Sequence, residues 1–167
     1  MATKEKIIIE NARLIYKNFS GKASDYNAEG DRNFCVVLNQ EEADKYSALG
    51  YNVKTRLPRE GYEDDGPLHF IKVKVSMKFG DDRDATVYRI SGHSKTKLNA
   101  RTVGSLDWDD IENVDLRIRP WNWEKGNRSG VSAFLDTMYV TVREDPLDAK
   151  YNIQDDFGEP SDSEEPF

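Results

Sequence analysis

The stretch Phe70-Ile-Lys-Val-Lys-Val-Ser-Met-Lys78 alternates apolar and cationic residues. Successive side chains of a strand point to opposite faces, so Ile71, Val73, Val75 and Met77 share one face and Phe70, Lys72, Lys74, Ser76 and Lys78 the other. This period marks a half-buried β-strand with an oily side for a core and a cationic side for solvent. Lysines also serve simply to blunt solvated strand faces, so the stripe alone does not select a ligand.

A second stretch, Asn113-Val-Asp-Leu-Arg-Ile-Arg-Pro-Trp-Asn-Trp123, repeats the pattern. Val114, Leu116 and Ile118 fall on one side, and Arg117, Arg119, Trp121 and Trp123 share the opposite parity, with Pro120 able to shift the register. Arginines beside flat indoles combine phosphate-binding cations with surfaces on which unpaired bases stack. Tryptophans in small barrels are often core, and one of Trp121 and Trp123 is expected to be buried. Two further segments point the same way. In Tyr51-Asn-Val-Lys-Thr-Arg56, Lys54 and Arg56 share a face. Around residues 17–32, Lys17, Phe19, Lys22, Tyr26 and Arg32 interleave bases with aromatics and suit closure over a nucleic-acid strand.

Strands are expected at 6–16, 33–38, 51–57, 68–79, 86–91, 113–123 and 130–142. A helix is expected over 40–49, ended by Gly50, and a short helix or turn near 106–111. Loops fall at 18–30, 58–67 and 80–84, with a hairpin turn at 126–130. Many strands, one intervening helix and no βαβ rhythm predict a mostly β domain: a single small barrel or strongly bent sheet with long loops and one or two short helices.

The chain has 167 residues and a net charge of -7, which looks wrong for a phosphate-binding protein. The charge is unevenly placed. Residues 144–167 hold nine acids against one base, a charge of -8, whereas residues 1–143 hold 23 bases and 22 acids. The expected organisation is therefore a folded domain over 1–143 and a disordered acidic tail over 144–167, too poor in apolar residues to offset its ordering entropy. The longest apolar runs are too short to cross a bilayer and no signal-peptide pattern follows Met1, so a soluble, cytoplasmic protein is expected. Cys35, the only cysteine, lies in an apolar run and reads as a buried structural thiol.

Catalytic patterns are thin. His69 and His93 lack partners at metal-ligand spacing, and no nucleophile–base pair or phosphate-cradling glycine loop is present. Asp81, Asp82 and Asp84, or Asp107, Asp109 and Asp110, could in principle hold Mg²⁺ as in a nuclease, although such runs in turns are ordinarily solvated. No enzyme, cofactor or metal is expected.

The stretches Glu10-Asn-Ala-Arg-Leu-Ile-Tyr-Lys-Asn-Phe-Ser-Gly21, Gly30-Asp-Arg-Asn-Phe-Cys-Val-Val-Leu38 and Gly50-Tyr-Asn-Val-Lys54, with the block 113–140 around Ile118-Arg-Pro-Trp121, carry a resemblance. They resemble a family of single-stranded DNA-binding proteins from tailed bacteriophages and related mobile elements. The resemblance implies an OB fold, binding of single strands without strong sequence preference, and, for a viral protein, the host cytoplasm. The end of the chain, Asp155-Asp-Phe-Gly-Glu-Pro-Ser-Asp-Ser-Glu-Glu-Pro-Phe167, is similar to the acidic tip through which bacterial and phage single-strand binders recruit replication and recombination proteins. That likeness implies partner-binding roles for Asp162, Glu164, Glu165, Pro166 and Phe167. Glu164 and Glu165 stand where aspartates with an aliphatic residue are frequent in bacterial versions. A monomer or homodimer is expected. The competing readings are an acidic DNA mimic that binds protein and, further off, an Mg²⁺ nuclease; a mimic has no use for an Arg-Arg-Trp-Trp face.

Overall fold

The computed structural model describes residues 6–24 and 27–143, together with residue 147. The partner-binding residues expected at 162 and 164–167, and Tyr26, lie outside the described residues.

Among the described residues nine strands form one sheet: β1 (Ile7–Ile9), β2 (Leu14–Asn18), β3 (Arg32–Leu38), β4 (Val53–Arg56), β5 (Leu68–Val75), β6 (Thr86–Ser91), β7 (Ser94–Leu98), β8 (Ile111–Lys125) and β9 (Arg128–Val142). Its main path runs β1-β8-β9-β5-β3-β2, with β4 on β5 and the β6–β7 hairpin on β9. All ladders are antiparallel except β5–β9 and β6–β9. This is the strand order of a partly open OB barrel, in which β3, β5, β8 and β9 act as the second to fifth barrel strands.

The single strand expected at 6–16 is split in two. Asn11 adopts a left-handed φ of 53° and donates its N–H to Asp115 Oδ1 at 2.8 Å. On either side of this kink β1 pairs with β8 and β2 with β3, the two ends of the sheet path. The seam is bridged by single bonds, Ala12 N–H to the Val114 carbonyl (2.7 Å) and Val37 N–H to the Arg13 carbonyl (2.9 Å). The sheet thus curls into a barrel without a closing ladder. The β7 edge strand, Ser-Lys-Thr-Lys-Leu, was not expected, because its mostly polar sequence carries almost no apolar alternation.

The α-helix α1 (Gln40–Ala48) connects β3 to β4. Its start is a capping box: the Asn39 side chain accepts from the Glu42 N–H at 2.7 Å, and the Glu42 carboxylate accepts from the Asn39 N–H at 3.0 Å. Gly50 just beyond it has φ 99°, as the sequence stop signal requires. The turn expected near 106–111 is a 3-10 helix at Val103–Asp107.

The core is built from the inward rows of β8 and β9, facing β1, β3, β5 and β6. Along β9 the buried residues are Val131, Ala133 and Leu135, then Met138, Val140 and Val142. The change of parity is a bulge: Arg117 pairs with Thr137 and Ile118 with Leu135, leaving Asp136 as the extra residue. At the same point the other edge of β9 changes partner, from β5 (Val73↔Ala133, Lys74↔Phe134) to β6 (Thr86↔Thr137). The β8–β9 register thus shifts at Arg117/Ile118, and again near the start of β8 between Ile111 and Asn113, but not at Pro120, which remains paired with Ala133. Phe19, expected to contact nucleic acid, belongs to this core: it is fully buried and stacks on Phe34 at 5.1 Å between ring centroids.

Candidate nucleic-acid interface

The outer face of β5 presents Phe70, Lys72 and Lys74, while Ile71, Val73 and Val75 are buried, as the alternation requires. Register brings neighbours to this stripe from both sides: Lys54 of β4 lies opposite Phe70, and Phe134 of β9 opposite Lys74. On β8 the outward row continues through Arg119, Trp121 and Trp123.

Together these residues line two adjoining hollows that share Lys72, Lys74 and Trp121. One, of about 1120 Å³, runs from Lys54 to the β8–β9 hairpin, where Lys125 and Arg128 rise beside Trp123. The other, of about 750 Å³, is bounded by Arg32, Lys78, Phe79, Arg83, Arg119 and Phe134. The combined groove follows the surface that OB folds use for ligands, the face of the second and third strands flanked by the loops after the first and fourth. Among the described residues Lys54, Lys72, Lys74 and Lys78 form no ion pair. Their charge is therefore open to a ligand.

Aromatic rings punctuate the groove. Trp121 is 57% exposed and meets Phe134 edge-on, with centroids 6.0 Å apart, and Lys74 Nζ stands 5.8 Å from the Phe134 centroid. Trp123 is half-buried and lies across Gly130, its register partner, where a Cβ would come within 2.8 Å of the indole. Neither indole is core, so the expectation that one would be buried does not hold; both sit on the outward row. At the other end of β5, Tyr16 packs edge-on against Phe70 at 5.7 Å, and the Arg56 guanidinium sits 5.7 Å over the Tyr16 ring and donates to its hydroxyl.

Of the residues expected to bind, Arg32, Lys54, Lys72, Lys74, Lys78, Arg119, Trp121 and Trp123 line this groove, and Arg56 and Phe70 extend it. Others do not join it. Lys17 turns the opposite way and donates to the Leu106 carbonyl at 3.1 Å. Phe19 is excluded by burial. Lys22 is exposed in a loop whose backbone is tied to Asn18. Arg117 lies beside the Asp136 bulge, 3.6 Å from that carboxylate. The sequence reading missed Phe134, Phe79, Arg83, Arg128 and Tyr16. Phe134 carried a signal, as a large aromatic on the polar parity of β9 between Ala133 and Leu135; Phe79 and Arg83 lie in a loop, where alternation says nothing.

Cys35 lies across the ladder from Lys72 and is buried, as expected. Burial pushes its thiol pKa up, and the nearby Lys54 and Lys72 only partly oppose this. Five of the six aspartates considered as Mg²⁺ ligands have carboxylates engaged with their own chain. Asp107 accepts from Phe19 and Ser20, Asp109 pairs with Arg89 and Asp110 with Arg143. Asp81 pairs with Arg83, which holds its carboxyl below the usual range, and Asp84 binds loop amides. Among the described residues no three His, Cys, Asp or Glu side chains converge on a common point suited to a metal ion. No described helix is long and apolar enough to cross a membrane.

The sequence model of a family described as "Putative phage ssDNA-binding domain" matches residues 1–159. Among solved structures, the chain is similar to a single-stranded DNA-binding protein from bacteriophage Enc34 in complex with ssDNA, with 14% identity and a TM-score of 0.53 over 85% of this chain and 89% of that one. A C-terminal truncation of the Enc34 protein gives 12% identity and a TM-score of 0.52 over 84% and 87%. At such identities the likeness is one of fold. A search of curated protein sequences gives no match.

Proposed function

The chain belongs to the phage ssDNA-binding domain family, and from that premise we propose that it binds and protects single-stranded DNA in the groove across β5, β8 and β9, without strong sequence preference. The observation that carries this reading is the union of unpaired lysines (Lys54, Lys72, Lys74) with the open rings of Trp121 and Phe134 in one continuous groove. Lysines attract the backbone of any strand. Rings stack on any base, each stack contributing on the order of 1 to 3 kcal/mol, but only on bases that are not paired. The residues assigned to contact are Arg32, Lys54, Arg56, Phe70, Lys72, Lys74, Lys78, Trp121 and Trp123, joined by Phe134. Catalysis forms no part of this reading.

The acidic segment 144–167 supplies the second half of the proposal. Its charge of -8 beside a body with 23 bases and 22 acids makes it a competitor for the basic groove. Released when DNA fills the groove, it becomes available to replication or recombination proteins. The decisive experiment is a fluorescence titration with single-stranded and duplex oligonucleotides of equal length. Preference for the single strand, steeply weakened by salt, is the expected result; equal affinity for both would refute stacking as the basis of binding.

A further inference from the structure

β5 and β6 follow one another along the same edge of β9, and between them the chain leaves the sheet at Ser76 and returns at Ala85, whose N–H donates to the Ser76 carbonyl at 2.8 Å. The excursion is tied internally by Asp84. Its carboxylate accepts from the N–H groups of Phe79 (3.1 Å) and Gly80 (2.6 Å) and from Ser76 Oγ (3.2 Å). Arg83 pairs with Asp81 at 2.6 Å and lays its guanidinium 4.0 Å over the Phe79 ring, which is 45% exposed.

Arg119 reaches this loop from β8. Its Nη1 donates to the Asp82 carbonyl at 3.2 Å and its Nη2 to the Arg83 carbonyl. β9 lies between β8 and the edge that carries β5 and β6, so the loop and the Arg119 side chain together span β9 beside Phe134, the register partner of Arg119. The sequence suggested Arg119 as a phosphate clamp. In the structure its donors are directed at backbone carbonyls.

We propose that Arg119 is a positioning residue that fixes the 76–85 loop as one wall of the groove, and that the Phe79 ring on this wall, backed on one face by the Arg83 guanidinium, is a further contact for the DNA, stacking on a base. The proposal rests on the groove reading and deepens it. A guanidinium bridges two carbonyls through a rigid fork, and an ammonium on a flexible stem does not reproduce this geometry. A phosphate contact, by contrast, survives replacement of one cation by another far better.

The test compares full-length wild type with Arg119→Lys, Arg119→Ala, Phe79→Ala and the Arg119→Lys/Phe79→Ala double variant. Each is titrated with an oligothymidylate, and amide hydrogen exchange at Phe79 and Gly80 is followed without DNA. The expected result is that Arg119→Lys and Arg119→Ala weaken binding alike, by about 5- to 150-fold, the range of one base–aromatic stack. The double variant should bind no worse than Phe79→Ala, and exchange at Gly80 should accelerate in both Arg119 variants. Retention of wild-type affinity by Arg119→Lys, losses that multiply in the double variant, or no effect of Phe79→Ala would each overturn the proposal. Should Arg119→Ala fail to fold, the lysine variant carries the test. Failure of the groove reading shows differently, as an unchanged affinity in Trp121→Ala, and leaves the exchange result at Gly80 standing.

Discussion

Trp121 and Phe134 meet edge to face across the β8–β9 ladder, with ring centroids 6.0 Å apart and planes at 83°; both line the smaller hollow, and Trp121 is shared with the larger one. Phe134 braces the indole from the side and leaves it 57% exposed.

Replacing Trp121 by Ala should therefore cost about 1 to 3 kcal/mol of single-strand affinity, the loss of one stacking surface, with little change in melting temperature. DNA should also quench tryptophan fluorescence through Trp121. Trp108, 88% exposed and outside both hollows, makes a control: Trp108→Phe should keep the full quench, whereas Trp121→Phe should lose the larger part and retain the part due to Trp123.

Charge and stacking separate by salt dependence. Lys72 and Lys74 lie centrally in the groove, and replacing either by Ala should lower the slope of log affinity against log salt by about 0.7, the value for one phosphate contact on a single strand. Lys17→Ala, directed toward Leu106, should leave the slope unchanged. Titrations at four or five salt concentrations distinguish these outcomes.

Gly130 tests the second indole. A methyl group there would meet Trp123 at 2.8 Å, so Gly130→Ala must tilt the ring or move the strand. The expected cost is about 1 to 3 kcal/mol of stability from overpacking, accompanied by weaker DNA binding. Denaturant unfolding and titration of the same sample check both.

The raised pKa of Cys35 has a signed consequence. The folded thiol holds its proton more tightly than the unfolded one, so the folded state binds more protons once pH passes the ordinary value of 9.0, and stability falls as pH rises further. Cys35→Ala should lack this component of the alkaline decline. In the native wild type, alkylation at pH 8 should be slow and should become fast on unfolding, as followed by mass spectrometry.

Removing residues 144–167 should tighten DNA binding, most strongly at low ionic strength, because a tethered charge of -8 no longer competes for the groove. Partner capture from an infected-cell extract should be lost in the same protein. If truncation weakens DNA binding, the proposed role of the acidic segment is wrong.

Alternation was enough to read β5 and most of β8 from the sequence, because a strand half-buried against a core must place every second residue inward. Ile71, Val73, Val114, Leu116 and Ile118 are buried where that rule puts them. The cationic face of β5 and the outward row of Arg119, Trp121 and Trp123 follow from the same periodicity. The capping box at Asn39 and Glu42 and the stop at Gly50 are likewise local, so α1 was legible within two residues.

What alternation leaves open is which outward rows meet. Lys17 and Arg117 have the residue type and parity of ligand contacts, yet Lys17 lies in the register irregularity of β2 between Ile15 and Asn18, where Tyr16 has φ 53°, and bonds Leu106, while a bulge sets Arg117 against Asp136. Phe19 reads as a loop aromatic and is core because Asp107, 88 residues away in sequence, fixes its backbone and Phe34 accepts its ring. Conversely, Phe134 joins Lys74 only through the parallel β5–β9 pairing, and Phe79 and Arg83 reach the groove on a loop bound to Arg119. Local sequence was sufficient for most of the strands, the helix and the charge of each face, since these depend on neighbours a few residues apart, but not for β7 or for the break between β1 and β2. Which cations and rings share one groove was settled only in three dimensions, because that depends on long-range register, on bulges in β2 and β9 and on the curl of the sheet.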